Sequence, residues 1–192
     1  MSEFKTVDED GVILRRAWAM PNKNTFSIKP FKELIEKYKA TLPEGAIILD
    51  PFANNSKEGT ITNDIDTRFD TTYHLPADEF LKMFDDNSVD AVLYDPPYSP
   101  HQVCECYKEL DRTVTWQDTS ASFWSKQKDE IARILKPGGF SICFGWHTNG
   151  IGKKRGFKIV EILDLAHGGN HNDSLATVEI KTGINGKKEN KK

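Results

Sequence analysis

The chain of 192 residues is short of cysteine, of long apolar runs and of net positive charge, and each shortage closes off a class of protein. Cys104, Cys106 and Cys143 are too few and too irregularly spaced for a disulfide framework, so reduced thiols are expected. His101 lies near Cys104 and Cys106, but the spacing matches no zinc pattern, and no metal site is expected. No run of about 18 apolar residues occurs, and Met1-Ser2-Glu3-Phe4-Lys5 is not a basic and then apolar leader. A cytoplasmic protein without a membrane segment is therefore expected. There is no internal repeat.

A net charge of -3 speaks against a polyanionic partner, but its distribution speaks the other way. Residues 1–100 carry 11 Lys and Arg against 18 Asp and Glu, a balance of -7, whereas residues 101–192 carry 15 against 11, a balance of +4. Two groups in the second half can meet phosphates: Lys153-Lys154-Arg155, the stronger candidate, and the basic residues of 183–192, which are expected to form a disordered tail.

With 38% hydrophobic residues the chain can bury one sizeable core, and residues 1–182 are expected to form a single domain. Its organising stretch is Val89-Asp90-Ala91-Val92-Leu93-Tyr94-Asp95-Pro96-Pro97-Tyr98. The apolar run reads as a buried strand. Proline cannot donate to a sheet ladder, so the strand ends at Asp95 and the two prolines form a stiff loop. In open α/β sheets ligands bind at that edge. The Asp95 carboxylate and the Pro96 carbonyl can both accept hydrogens from one amino group, and Tyr98 offers a flat face to a base. An exocyclic amino nitrogen is a poor nucleophile because its lone pair is delocalised; two fixed acceptors favour a more tetrahedral nitrogen able to attack an electrophile. A plain strand-ending turn explains the same four residues.

Asp95-Pro96-Pro97-Tyr98 resembles the motif of amino-group DNA methyltransferases that use S-adenosylmethionine, and other stretches across roughly residues 15–182 resemble that family in its order. Residues 1–14 lack periodicity and are expected to be a loose arm. The segment before a helix starting near Pro30 is similar to the family's cofactor-side loop, which implies that Phe26 and Lys29 approach the cofactor. Ala46–Asp50 reads as a second buried strand, and Asp50-Pro51-Phe52-Ala53-Asn54 resembles the turn that closes around the cofactor's amino-acid part. Here Asn54 and Asn55 stand where glycines are usual, and asparagine is the residue that best tolerates left-handed geometry in their place. From Asp50 to the strand at Thr60–Asp66 there is too little chain for a normal helical crossover, so a shortened connection is expected. By resemblance Asp64, with Asp66 beside it, accepts the ribose hydroxyls, and Asp78 meets the adenine amino group of the cofactor.

Residues 99–122 are expected to close over the substrate. A helix over Ser122–Leu135 should stop at Lys136-Pro137-Gly138-Gly139, and residues 147–156 should form a mobile basic loop. A strand pair, Phe157–Leu165 and Leu175–Ile180, flanks a loop holding His167 and His171, read as hydrogen-bonded and not as a metal site. The resemblance implies a class I α/β fold, Rossmann-like, with a mostly parallel sheet and one antiparallel strand. It implies methyl transfer from S-adenosylmethionine to N6 of an adenine flipped out of DNA, catalysed around Asp95, Pro96, Pro97 and Tyr98. A second copy of the chain or a separate specificity subunit is a further expected partner. Two alternatives stay open: an RNA or protein amino or amide group as substrate, and a non-catalytic nucleic-acid-binding subunit of the same fold.

Overall fold

Val89, Ala91, Val92, Leu93 and Tyr94 are buried because their strand lies inside an eight-stranded sheet covered on both faces. A computed structural model describes residues 4–169 and 171–182, so the basic stretch 183–192 lies outside the described residues. The strands are β1 (Phe4–Val7), β2 (Ile13–Trp18), β3 (Ile48–Asp50), β4 (Ile61–Thr62), β5 (Val89–Tyr94), β6 (Leu135–Gly145), β7 (Phe157–Ala166) and β8 (Ser174–Lys181). The helices are α1 (Lys29–Lys39), α2 (Ala77–Lys82), α3 (Pro100–Glu109), α4 (Trp116–Thr119) and α5 (Ala121–Ile134).

Strand order is β1-β2-β7-β8-β6-β5-β3-β4. β8 pairs antiparallel with both β6 and β7, as the single reversed strand of the expected sheet, and the edge strand β1 is a second. Alternation along β5 and β6 divides the core. Ala91, Leu93, Phe140, Ile142 and Phe144 face α1, which contributes Phe31, Leu34 and Ile35. Val89, Val92, Tyr94 and Cys143 face α2 and α5, with Phe80, Leu81, Ile131 and Ile134.

Residues 4–14 are not a loose arm. Asp8 Oδ1 accepts from the backbone N–H of Asp10 (3.0 Å) and Val12 (2.8 Å), and Gly11 takes φ +78°, turning β1 back onto β2. β2 then lies parallel to β7. The arrangement is fixed by Glu161, fully buried on β7, which accepts from Lys37 of α1, the Tyr38 hydroxyl (2.8 Å) and Arg15 of β2 (3.3 Å).

Two connections differ from regular helical crossovers. Pro51–Thr60 contains no helix, in keeping with the shortened crossover, and β4 is two residues long. α5 stops at Ile134, earlier than the Lys-Pro-Gly-Gly turn, because Leu135 already pairs with Val89 and the turn is an irregularity inside the β5–β6 ladder. A side chain at Gly139 would sit 2.7 Å from the Asp90 carbonyl, so the close strand approach requires glycine.

Candidate active site

Three loops at the carboxyl ends of the parallel strands contribute to one cleft of about 1110 Å³, which residues 21–28, 102–127 and 167–174 also help to line. From the β3 turn it is lined by Pro51, Phe52 and Asn54; from the segment after β4, by Asp64, Asp66 and Asp78; from the end of β5, by Asp95, Pro96, Pro97 and Tyr98. These ten of the candidate residues share one cavity. Phe26 is instead buried against Phe144 (ring centroids 4.9 Å apart), and its neighbour Thr25 lines the cleft. Lys29 is exposed and pairs with Glu33 (3.8 Å), and Ala53 is buried beneath its turn.

The turn after β3 owes its shape to side chains that follow in sequence. Asn54 adopts φ +53°, the left-handed geometry that its residue type permits. Asp64 holds it: Oδ2 accepts the Asn54 N–H (2.8 Å) and Oδ1 the Asp66 N–H (2.9 Å). Burial raises the Asp64 pKa and these two hydrogen bonds oppose the rise. Asp66 is engaged by Arg68, whose Nη2 lies 2.6 Å from Oδ2 and whose hydrogen bonds pull the carboxyl below its usual range. Asp78 pairs with Lys82 one turn along α2 (2.9 Å). Asn63, which no local pattern marks, is a buried hub: its amide donates to the Pro51 and Leu75 carbonyls (3.0 Å each) and accepts the Leu75 N–H (2.9 Å).

Beneath the turn, Asp50 is fully buried and its Oδ2 has no hydrogen-bond partner. Burial, and then the charge of Asp95, push its pKa well above the carboxylate range. Asp95 is likewise raised by burial, to about 6, against hydrogen bonds from Tyr98 and Thr25. Two carboxylates deprived of water and close enough to repel form a site that favours a cation.

The Asp-Pro-Pro-Tyr loop is clamped at each residue after Pro96. The Trp124 indole of α5 donates to the Pro97 carbonyl (2.9 Å). Tyr98 N–H donates to Gln102 Oε1 (2.5 Å), and Ser99 Oγ accepts the Gln102 N–H (3.2 Å), so Ser99-Pro100-His101-Gln102 starts α3 as a variant capping box with proline at its first position. That signal is legible in the sequence, whereas nothing local announces Trp124. The Tyr98 hydroxyl donates to Asp95 Oδ1 (2.5 Å), and its ring meets Trp146 edge-on (5.7 Å). Among the described residues no hydrogen bond uses the Pro96 carbonyl.

On the far rim His167, buried, contacts the Ala19 carbonyl through Nδ1 (2.8 Å) and Ser174 Oγ through Nε2 (2.9 Å), which accounts for it as a loop clamp. Lys153, Lys154 and Arg155 are apart from this cleft. They precede the amino end of β7, at the sheet edge opposite Asp95. Lys153 and Lys154 are exposed, but Arg155 binds Asp129 (2.6 Å) and Ser125 Oγ (2.9 Å) of α5. Their segment is anchored as well, since Glu179 accepts the N–H groups of Ile151 and Gly152.

This fold and cleft define a class: the chain has the class I S-adenosylmethionine-dependent methyltransferase fold, as comparison with solved structures shows. It is similar to TrmN from Thermus thermophilus, with a TM-score of 0.52 and 14% identity over 80% of this chain and 49% of that one. It therefore spans about half the length of that protein. It is also similar to the 1,6-didemethyltoxoflavin-N1-methyltransferase of Burkholderia thailandensis, solved with S-adenosylhomocysteine, with a TM-score of 0.53 and 10% identity over 81% and 78%. A third is SMU.776, complexed with SAH, with a TM-score of 0.51 and 11% identity over 93% and 56%. No protein-family model matches the chain, and no curated protein sequence matches it significantly. Among the described residues no helix is long and apolar enough to cross a membrane.

Proposed function

We propose that the protein is an S-adenosylmethionine-dependent methyltransferase acting on the N6 amino group of adenine in DNA. The observation that carries this reading is the pairing, in one cleft, of Asp95 and the unengaged Pro96 carbonyl with the turn after β3. When bound, S-adenosylmethionine supplies an electrophilic methyl group. The residues present fit it: the unpartnered Asp50 Oδ2 suits an ammonium group, the left-handed turn at Asn54 leaves room along its backbone, and Asp64 and Asp78 offer acceptors to ribose and to an adenine amino group.

Asp95 and the Pro96 carbonyl accept the two amino hydrogens of the base, which localises the nitrogen lone pair. The amino group takes the place of the Tyr98 hydroxyl on Asp95, and the ring released by that exchange is free to stack on the base. Trp124 and Gln102 hold the loop so that both acceptors keep their positions, an entropic contribution made before substrate arrives. An anionic acceptor at position 95, where cytosine-N4 enzymes of the family more often have serine, favours adenine. Lys153 and Lys154 contribute a remote attraction to the phosphate backbone, screened beyond about 10 Å at ordinary salt. Sequence selection falls to the cleft rim, to a second copy or to a specificity subunit.

The test separates two roles. Asp95→Ala should reduce methyl transfer by about 10²-fold or more while cofactor affinity, measured by calorimetry, stays within a few-fold; Asp64→Ala should chiefly weaken cofactor binding. Equal loss of cofactor binding in both variants would assign Asp95 to the fold and overturn the reading.

A further inference from the structure

Three of the four tryptophans are exposed, an uncommon placement for so large an apolar group; Trp146 lines the cleft, and Trp18 and Trp116 lie beside residues that line it, Trp18 against Gly168 next to His167. Trp18 (47% exposed) ends β2 and Trp146 (41%) follows the end of β6, both at the carboxyl edge of the sheet. Trp116, the most exposed at 74%, begins α4, whose neighbouring residues Thr115, Gln117 and Asp118 line the cleft. It is also held in place. Thr115 and Asp118 form a reciprocal capping box, with Thr115 N–H and Oγ1 donating to Asp118 Oδ2 (2.8 and 2.6 Å), so the ring is presented on a fixed turn.

Charge around the same opening is of the wrong sign for a duplex. The cleft is lined by eight carboxylates and only four Lys or Arg, one of which, Arg68, is spent on Asp66. A double helix laid across this rim would bring two phosphate strands against net negative charge, while the exposed pair Lys153 and Lys154 lies at the opposite edge of the sheet. Stacking does not need phosphate neutralisation, and every base has a face to stack.

We propose that the substrate taken by this cleft is an unpaired base in single-stranded DNA, held mainly by stacking on Trp18, Trp116 and Trp146 and only slightly through its phosphates. The inference rests on the methyltransferase reading above and names the form of DNA that it acts on. No base then has to be pulled from a duplex, which fits a site with few cations to grip the backbone.

The experiment compares methylation of a short single strand containing one adenine with the same strand annealed to its complement, across a range of salt. The single strand should be preferred by about tenfold or more, with a log-log salt slope flatter than about -2, the equivalent of fewer than three phosphate contacts. Trp116→Ala and Trp146→Ala should each raise the KM for the single strand by about tenfold, and Trp116→Phe should restore most of it. Circular dichroism checks that the fold survives, which an exposed position makes the expected result. Preference for the duplex, or a Trp116→Ala KM unchanged within about twofold, overturns the inference and leaves methyl transfer standing. Methylation of neither form, with S-adenosylmethionine still bound in calorimetry, overturns the parent reading and this one with it.

Discussion

At Asp95 burial and hydrogen bonding act in opposite directions, and the balance falls close to physiological pH. Burial raises the carboxyl from 3.8 to about 6, although Tyr98 and Thr25 both donate to it. Only the ionised form accepts two hydrogens without offering one, so kcat/KM should rise with pH through about 6 and level off above. Asp95→Asn should lose that limb along with most of its rate. A limb of the same midpoint persisting in the asparagine variant would assign it to another group. The sign for stability is reversed: with a folded pKa above the unfolded one, Asp95 contributes fully below about pH 4 and that contribution is lost as pH passes about 6. Asp50 adds a cost of the same kind at neutral pH. The place of Asp95 at the end of a buried strand was legible in the sequence because two prolines after an apolar run leave few conformations. The loop's supports were legible only in part: Ser99 and Gln102 carry a capping signature, but Trp124 lies 27 residues from Pro97 and reaches it through the helix packing.

At the scale of elements, the sheet's added edge depends on one buried carboxylate. Burial pushes Glu161 up, but Lys37, Tyr38 and Arg15 together outweigh it and hold the group below its usual range. Removing one partner of a buried ion pair typically costs about 3–5 kcal/mol, so Glu161→Gln should lower Tm by about 10 °C. Because the folded pKa is depressed, the wild-type contribution is present above about 4.5 and is lost as pH falls through the folded value. Melts from neutral to acidic pH should therefore converge for the two proteins at the acid end. A constant difference at every pH would mean that the loss is packing and not charge. The β1–β2 hairpin escaped a sequence reading for the same reason that it needs Glu161. β1 is four exposed residues, and Arg15 and Arg16 break the alternation of β2, Arg15 reaching Glu161, a residue more than a hundred positions away. α5 itself ends within a residue of the expected Leu135, and what the sequence does not show is that the stop comes from strand pairing of Leu135 with Val89 and not from Gly138 and Gly139.

Over the whole molecule, the order of motifs along the chain was enough to anticipate the sheet and the cleft, since each strand-ending loop of a parallel sheet reaches the same edge. The count of charges by halves was a poorer guide. It gathered the positive excess into residues 101–192 but could not say which edge of the sheet carries Lys153 and Lys154, or that Arg155 is bound to α5. Position along a crossover, not proximity in sequence, decides that.

The proposed reaction moves a methyl group in this cleft from S-adenosylmethionine to an adenine amino nitrogen. Its most direct test is to incubate the protein with labelled S-adenosylmethionine and DNA supplied in both single- and double-stranded form, digest to nucleosides and identify the product by mass spectrometry. N6-methyladenine, absent with Asp95→Ala, is the predicted result. N4-methylcytosine would contradict the base assignment, and label confined to RNA or protein in parallel incubations would contradict the substrate class.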